Sequence, residues 1–400
     1  MDLRSNEPFW PLKNGLQHSY PSLQKDVKTD VLIVGAGITG ALAAHACMGK
    51  GYETMIIDKR EIGYGSTSAT TSMLQYEIDV PLSELKKVIG DAGAVAAYEG
   101  CRDAIYILKD IVKQVKSESG YMSKDSLFFA GNKKDLGWLY EEYEERKKAG
   151  FSVSWLDQTD IRNKYGLIAE GGILSTDGAS VDAFRLTHDL LFYNARKGLK
   201  VHDKTTLEKV IYNEKDVRVI LENGCVITAS KIIYCTGYET QQFLPEKIVD
   251  LKSTYAIVSE QNIDAVPRLS DTLFWNTDSP YLYMRTTDDN RLLVGGEDVD
   301  FKNPLKRDAL LDRKAEKLTR LVEKLLPDYP FLLDFRWCGT FGETKDGLPY
   351  IGEHPKFPHS YFILGFGGNG ITFSVLGMDI ITGMIEGRSS LLSHFFRFGR

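Results

Sequence analysis

Cysteine is scarce and unpaired in this 400-residue sequence. Cys47, Cys101, Cys225, Cys235 and Cys338 are odd in number, widely spaced and never in a Cys-x-x-Cys pair. That excludes a disulfide framework and a thiolate zinc site, and it makes a reducing cytoplasm the expected compartment. No Lys/Arg run is long enough to track a phosphate backbone, and the formal net charge is -6, so nucleic acid is not an expected partner. Nowhere do about eighteen apolar residues run together. Prolines and charges interrupt the opening MDLRSNEPFWPLKNG where a signal peptide needs an apolar stretch, so no membrane association is expected. His354 and His359 flank prolines without a carboxylate-rich ligand set, and no metal site is expected. There is no internal repeat and no low-complexity tract.

What is present is a composition that folds. With 43% hydrophobic and 26% charged residues the chain can bury a large core, and its length predicts two domains. Residues 1–29, punctuated by Pro8, Pro11 and Pro21, read as an irregular arm on the surface. Val31 to Val34 is an apolar run of strand length, followed by Gly35-Ala36-Gly37-Ile38-Thr39-Gly40, a helix-compatible run to Met48 and a second strand, Thr54 to Ile57, ending at Asp58. Together they make one βαβ unit opening a parallel sheet. From Val80 to Gly150 the texture is helical, with Ala92 to Val115 and Leu136 to Lys148 the clearest helices, and Val181 to Arg196 predicts another, stopped by Gly198. Val217 to Leu221 and Cys225 to Thr228 flank an Asn223-Gly224 hairpin turn, and Ile232 to Tyr234 follows. Tyr255 to Ser259, Tyr281 to Arg285 and Leu292 to Gly295 predict an antiparallel sheet. After a charged helix, Pro304 to Leu326, come strands at Asp334 to Trp337 and Tyr361 to Leu364, and a last helix, Ile371 to Glu386. The fold class is α/β plus α+β.

The GAGITG turn has the context a dinucleotide site requires: a strand before it, a helix after it, and an acidic residue, Asp58, 18 residues past the third glycine. Gly35 permits the tight turn, Gly37 lets backbone approach a pyrophosphate, Gly40 lets helix and strand touch, and Ile38 and Thr39 open the helix N-terminus toward the anion. Asp58, with Lys59 beside it, is the candidate for the ribose hydroxyls. Directly after them, Gly65, Ser66, Thr67, Ser68, Thr71 and Ser72 form a loop rich in hydroxyl donors for phosphates or a ring.

This fingerprint alone leaves NAD and FAD open. The far end of the chain favours FAD: Gly365-Phe366-Gly367-Gly368-Asn369-Gly370, leading into Ile371, again sets glycines between strand and helix. The N-terminus of that helix suits the negative charge a flavin gains beside N1 on reduction. The ordered set of GAGITG with Asp58, the STSATT loop, Val201 to Val210, IIYCTG at 232–237, KDGLPYIG at 345–352 and GFGGNG resembles the FAD-dependent D-amino acid oxidase superfamily, which includes glycine, sarcosine and γ-glutamylputrescine oxidases. The likeness spans nearly the whole chain, and the arm with Trp10 and Tyr20-Pro21 looks most like the γ-glutamylputrescine oxidase branch. It implies FAD in a Rossmann-like α/β domain (1–79, 181–250 and 335–400) interleaved with an antiparallel β-sheet substrate domain (80–180 and 251–334). It also implies that Val210 meets the adenine, that Thr236 and Gly237 line the dinucleotide, and that Asp346 and Gly347 sit near the flavin.

Aligned on the glycine oxidase pattern, the segment before Lys345-Asp346-Gly347 puts Phe341 where a carboxylate-clamping arginine is expected. Without that charge-assisted fork a free α-amino acid becomes a poorer substrate, and nearby Glu343 favours a cation. Period-2 alternation puts Tyr281, Tyr283 and Arg285 on one strand face: either a substrate box in which Arg285 binds an acidic group, or a half-buried sheet face with a surface arginine. Glu343 is likewise either a substrate contact or a solvated carboxylate. The expected reaction is oxidation of the C–N bond of an amine or modified amino acid by hydride transfer to flavin N5. The alternatives are a D-amino acid or glycine oxidase with Arg285 replacing the clamp, and a non-catalytic flavin- or NAD-binding redox sensor. Cys338 lies one residue from where sarcosine oxidases attach flavin, and one residue on a strand reverses the face, so covalent attachment is not expected.

Overall fold

The apolar runs Val27–Val34, Thr54–Ile57, Lys200–His202, Val226–Tyr234 and Ser360–Leu364 pair side by side as the parallel strands of one sheet in a computed structural model describing residues 2–5, 7–365 and 367–400. Both faces are covered over the middle of the sheet, which is why the segments 31–34, 55–57, 232–234 and 361–364 are continuously hydrophobic. Tyr350–Glu353 adds an antiparallel edge, and the strands Leu207–Tyr212 and Val217–Leu221 extend from Val226–Tyr234 through the expected Asn223-Gly224 turn.

The second sheet has nine strands among the described residues, ordered from Leu333–Glu343 through Asp250–Ser259, Leu292–Asp300, Tyr283–Thr286, Thr272–Asn276, Met122–Phe129 and Gly171–Ser180 to Met73–Leu74, with Val153–Asp157 alongside Gly171–Ser180. It is antiparallel except that Thr272–Asn276 runs parallel to Met122–Phe129. Met122–Phe129 lies inside the stretch read as helical, because its first half is polar. The seam expected at 334/335 also needs correction. Leu333–Glu343 pairs with Asp250–Ser259 as far as Asp250 opposite Glu343, so it belongs to the antiparallel sheet.

Helices Ile38–Gly49 and Gly370–Ile385 pack together over the parallel sheet, with Thr39 Oγ1 and Ser374 Oγ 2.7 Å apart. Gly40 lets the first of these helices close onto the turn before it: a Cβ there would run into the carbonyl oxygen of Gly35, itself at φ +104°.

The N-terminal arm is not merely an irregular surface segment. Phe9 and Trp10 are each only 1% exposed and pack with Phe335 and Trp337. Backbone bonds from Ser5 N–H to the Cys338 carbonyl (2.9 Å) and from Thr340 N–H to the Leu3 carbonyl (2.8 Å) lay it along the outermost strand of the second sheet. Burying two large aromatics outweighs the polar, proline-rich character of the segment.

Candidate functional site

Between the two sheets lies a cleft of about 1380 Å³ counting its open mouth. Its wall brings both glycine turns together: Ile38 and Thr39 from one end of the chain, Gly365, Gly367, Gly368, Asn369, Gly370 and Ile371 from the other. Phe366 lies outside the described residues. The N-cap positions of both helices, Gly37 and Asn369, make no side-chain cap. First-turn N–H groups of both helices are thus left by their N-cap residues to other partners, Ile38 N–H being taken by Thr67.

The hydroxyl-rich loop forms the next part of the wall with Ser66, Thr67, Thr71 and Ser72. Thr67 Oγ1 accepts from Ile38 N–H at 3.0 Å, and a Cβ on Gly37 would meet it at 2.8 Å. Gly65 and Ser68 shape the loop instead of lining it: Ser68 Oγ donates to the Gly65 carbonyl at 2.9 Å. Three consecutive carbonyls are held from behind. Trp337 Nε1 donates to Ala69 (2.8 Å), Trp10 Nε1 to Thr70 (2.6 Å) and Arg285 Nε to Thr71 (2.7 Å).

That last bond corrects the expectation for Arg285. Its guanidinium also donates to the carbonyl of Val181 at 3.0 Å, lies over the Trp10 ring and is absent from the cleft wall. Burial pulls its pKa down to about 10 against the pull of Asp182. In this structure its guanidinium holds the loop and does not line the cleft.

Other expected residues divide. Tyr281, Tyr283, Phe341 and Gly237 line the cleft. Thr236 sits behind Gly237 with its hydroxyl 2.6 Å from that of Thr240. Asp58 braces the first glycine turn, accepting from Ala36 N–H (2.7 Å) and Arg60 N–H (2.9 Å); Lys59 pairs with Glu239 at 2.8 Å. Four more residues stand off the wall. Val210 is in the outer hairpin, Glu343 is half-exposed with Lys252 3.8 Å away, Asp346 pairs with Arg400 at 2.7 Å, and Gly347 turns against Val80 and Ile78. Cys338 points into the core on the far side of its strand, its Sγ 3.3 Å from Asp308 Oδ1, and burial pushes its thiol up to about 12.

Sequence reasoning missed the wall's acidic side. Met73, Gln75, Glu77 and Asp79 all face the cleft, while Leu74, Tyr76 and Ile78 between them are at most 1% exposed. Period-2 alternation in Met-Leu-Gln-Tyr-Glu-Ile-Asp was the available signal. Asp79, exposed at the cleft wall, accepts from Gly368 N–H through its Oδ2 at 2.8 Å. Asp298, from Leu292–Asp300, has its pKa raised to about 7, first by burial and then by the charges of Glu343 and Asp79, with Thr254 and Lys314 opposing. Glu77 is buried with Arg146 Nη1 3.6 Å away, and Arg146 Nε donates to Glu142 at 2.7 Å. Trp275, Trp337, Thr254 and Tyr238 complete this side.

The two uncapped helix ends, the close-approach glycines and the hydroxyl loop fit one extended dinucleotide: Ile38, Thr39, Ser66 and Thr67 for the phosphates, and the 367–371 turn for a ring that takes negative charge. Such a fold and cleft define a dinucleotide-dependent redox enzyme. The model of the FAD dependent oxidoreductase (DAO) family matches residues 30–382, and the chain belongs to that family; its cofactor is FAD. It is 25% identical over 392 residues to the gamma-glutamylputrescine oxidoreductase of Escherichia coli (strain K12), covering 94% of this chain and 88% of that one. It is 23% identical over 376 residues to the glycine oxidase of Geobacillus kaustophilus (strain HTA426), covering 89% and 93%. The crystal structure of glycine oxidase from Geobacillus kaustophilus shares the fold, with a TM-score of 0.79 at 20% identity over 93% of this chain and 99% of that one. No helix among the described residues is long and apolar enough to cross a membrane.

Proposed function

We propose that this enzyme oxidises the C–N bond of an amine bearing no carboxylate on the carbon that is oxidised. One observation carries the reading: the described cleft wall presents three carboxylates, Glu77, Asp79 and Asp298, and no Lys, Arg or His. An α-carboxylate entering it would meet like charge and no guanidinium, a cost of several kcal/mol, whereas an ammonium meets carboxylates and the faces of Tyr281, Tyr283 and Trp275. Phe341, in the position expected of a clamp, supports the same conclusion. The similarity to a gamma-glutamylputrescine oxidoreductase and to glycine oxidases supports the broader class of amines and amino acids.

FAD, when bound, supplies the two-electron acceptor for the α-carbon hydride of a neutral amine, whose nitrogen loses a proton to leave an imine that water hydrolyses. The chain prepares that neutral amine. The aromatic walls strip water from the ammonium and lower its pKa, and the Asp79 carboxylate, open to the cleft beside the glycine turn, takes the released proton and passes it to solvent. The N-terminal arm and Trp337 keep the hydroxyl loop in place.

Anaerobic mixing of the FAD-loaded protein with alkyl, N-methyl and γ-glutamyl amines, and in parallel with glycine and D-amino acids, tests this reading. Flavin absorbance should bleach with the amines. Bleaching only with free amino acids would restore the amino acid oxidase reading, and none with any compound would favour a redox sensor.

A further inference from the structure

Resting on the amine reading, we infer that Asp298 docks a second, non-reacting ammonium, so that the substrate is a diamine or longer polyamine. The three wall carboxylates are not equivalent. Glu77, whose oxygens also lack a hydrogen bond, has the Arg146 guanidinium 3.6 Å away to balance its charge, and Asp79 holds the N–H of Gly368. Asp298 Oδ1 is shielded from solvent and accepts no hydrogen bond.

The basic groups around it are committed elsewhere. Lys314 pairs with Glu297 at 3.0 Å, and Lys252 sits between Asp300 at 2.8 Å and Glu343 at 3.8 Å. Thr254, the neutral donor facing Asp298, also lies 3.2 Å from the Tyr283 hydroxyl. A shielded carboxylate oxygen without a donor is costly to keep, and an N–H donor carrying positive charge relieves both the charge and the missing bond.

The strand that carries Asp298 also seats the rings that would flank such a cation. Gly295 and Gly296 precede it, and a Cβ on Gly295 would collide with the Tyr283 ring. Tyr281 and Tyr283 pack with centroids 5.5 Å apart, tilted by 44°. Asp298 suits the end of the substrate that does not react. A carboxylate bonded to the reacting nitrogen would hold it protonated, whereas a remote ammonium must remain charged to bind.

The test is an anaerobic titration of the FAD-loaded protein, read by flavin difference spectra, with straight-chain α,ω-diamines against monoalkylamines of equal length. The unmodified protein should bind the best diamine at least about 10-fold more tightly than its matched monoamine, and Asp298→Asn should bring that ratio to about one. Asp298→Ser serves if the asparagine variant does not retain FAD. Equal affinity for the pair in the unmodified protein, or a preference that survives either substitution, overturns the assignment. A diamine preference that depends on Asp298 without any bleaching would sustain the docking site while removing the amine oxidation reading. Bleaching by monoamines and diamines alike, with equal affinities, would do the reverse.

Discussion

Replacing Arg146 by leucine should destabilise the protein heavily, and more at high pH than at low. Arg146 is fully buried, with Glu142 at 2.7 Å and Glu77 at 3.6 Å, and its guanidinium lies over the rings of Tyr98 and Phe128. Leucine keeps part of the aliphatic volume and strands both carboxylates. Breaking a buried ion pair from one side costs about 3–5 kcal/mol. The two acids do not share that cost equally. Glu142 keeps two backbone donors, Leu82 N–H and Ser83 N–H, each at 2.9 Å. Burial opposes its ionisation, but Arg146 and these bonds hold its carboxyl below the usual range.

Burial already raises the Glu77 carboxyl against the pull of Arg146, and it rises further without the arginine. A carboxyl whose folded pKa exceeds its unfolded one binds more protons in the native state, so stability falls as pH climbs past the unfolded value. Urea unfolding of Arg146→Leu should therefore show a loss of about 3–5 kcal/mol at pH 8 and a smaller one at pH 5. Adding Glu142→Gln should cost less than the sum of the single losses. A loss below about 1 kcal/mol, or one that ignores pH, refutes the ion network as described.

Gly40→Ala should yield colourless protein, because the new methyl has no room against Gly35; flavin content after purification checks this. Arg285→Met should weaken FAD binding by about 10-fold or more through the freed Thr71 carbonyl, seen in apoprotein titration. If Arg285 bound substrate instead, KM would move and FAD affinity would not. Phe341→Arg places a guanidinium on the cleft wall and should raise affinity for glycine-like carboxylates by about 10-fold or more while weakening amines; inhibition constants for both classes settle it. Acid precipitation should release all the yellow colour, since Cys338 faces the core, and colour retained in the pellet would reopen covalent attachment.

Glycine turns were legible because their constraint is written in backbone: Gly35 at φ +104° and Gly40 against its carbonyl leave few other residues possible. Parallel strands were legible because both of their faces are buried. The acidic wall was not, since Gln75, Glu77 and Asp79 alternate with buried neighbours as solvent-facing residues would, and an internal cleft leaves the same polar pattern as water. Arg285 illustrates a different limit. Alternation assigns the face of its strand, but the guanidinium ends a long side chain, captured by carbonyls of residues 71 and 181 that only the tertiary fold brings near. Trp10, in a proline-punctuated arm, is buried because Trp337 and Thr70 come from distant segments to receive it.

The acid-only wall is tested most directly by one matched pair, an amine that bleaches the flavin and the same molecule carrying a carboxylate on the carbon to be oxidised. Their ratio of kcat/KM should favour the plain amine by at least about 100-fold, the equivalent of about 2.7 kcal/mol of like-charge and desolvation cost. A ratio near one, or one favouring the carboxylated member, contradicts the account.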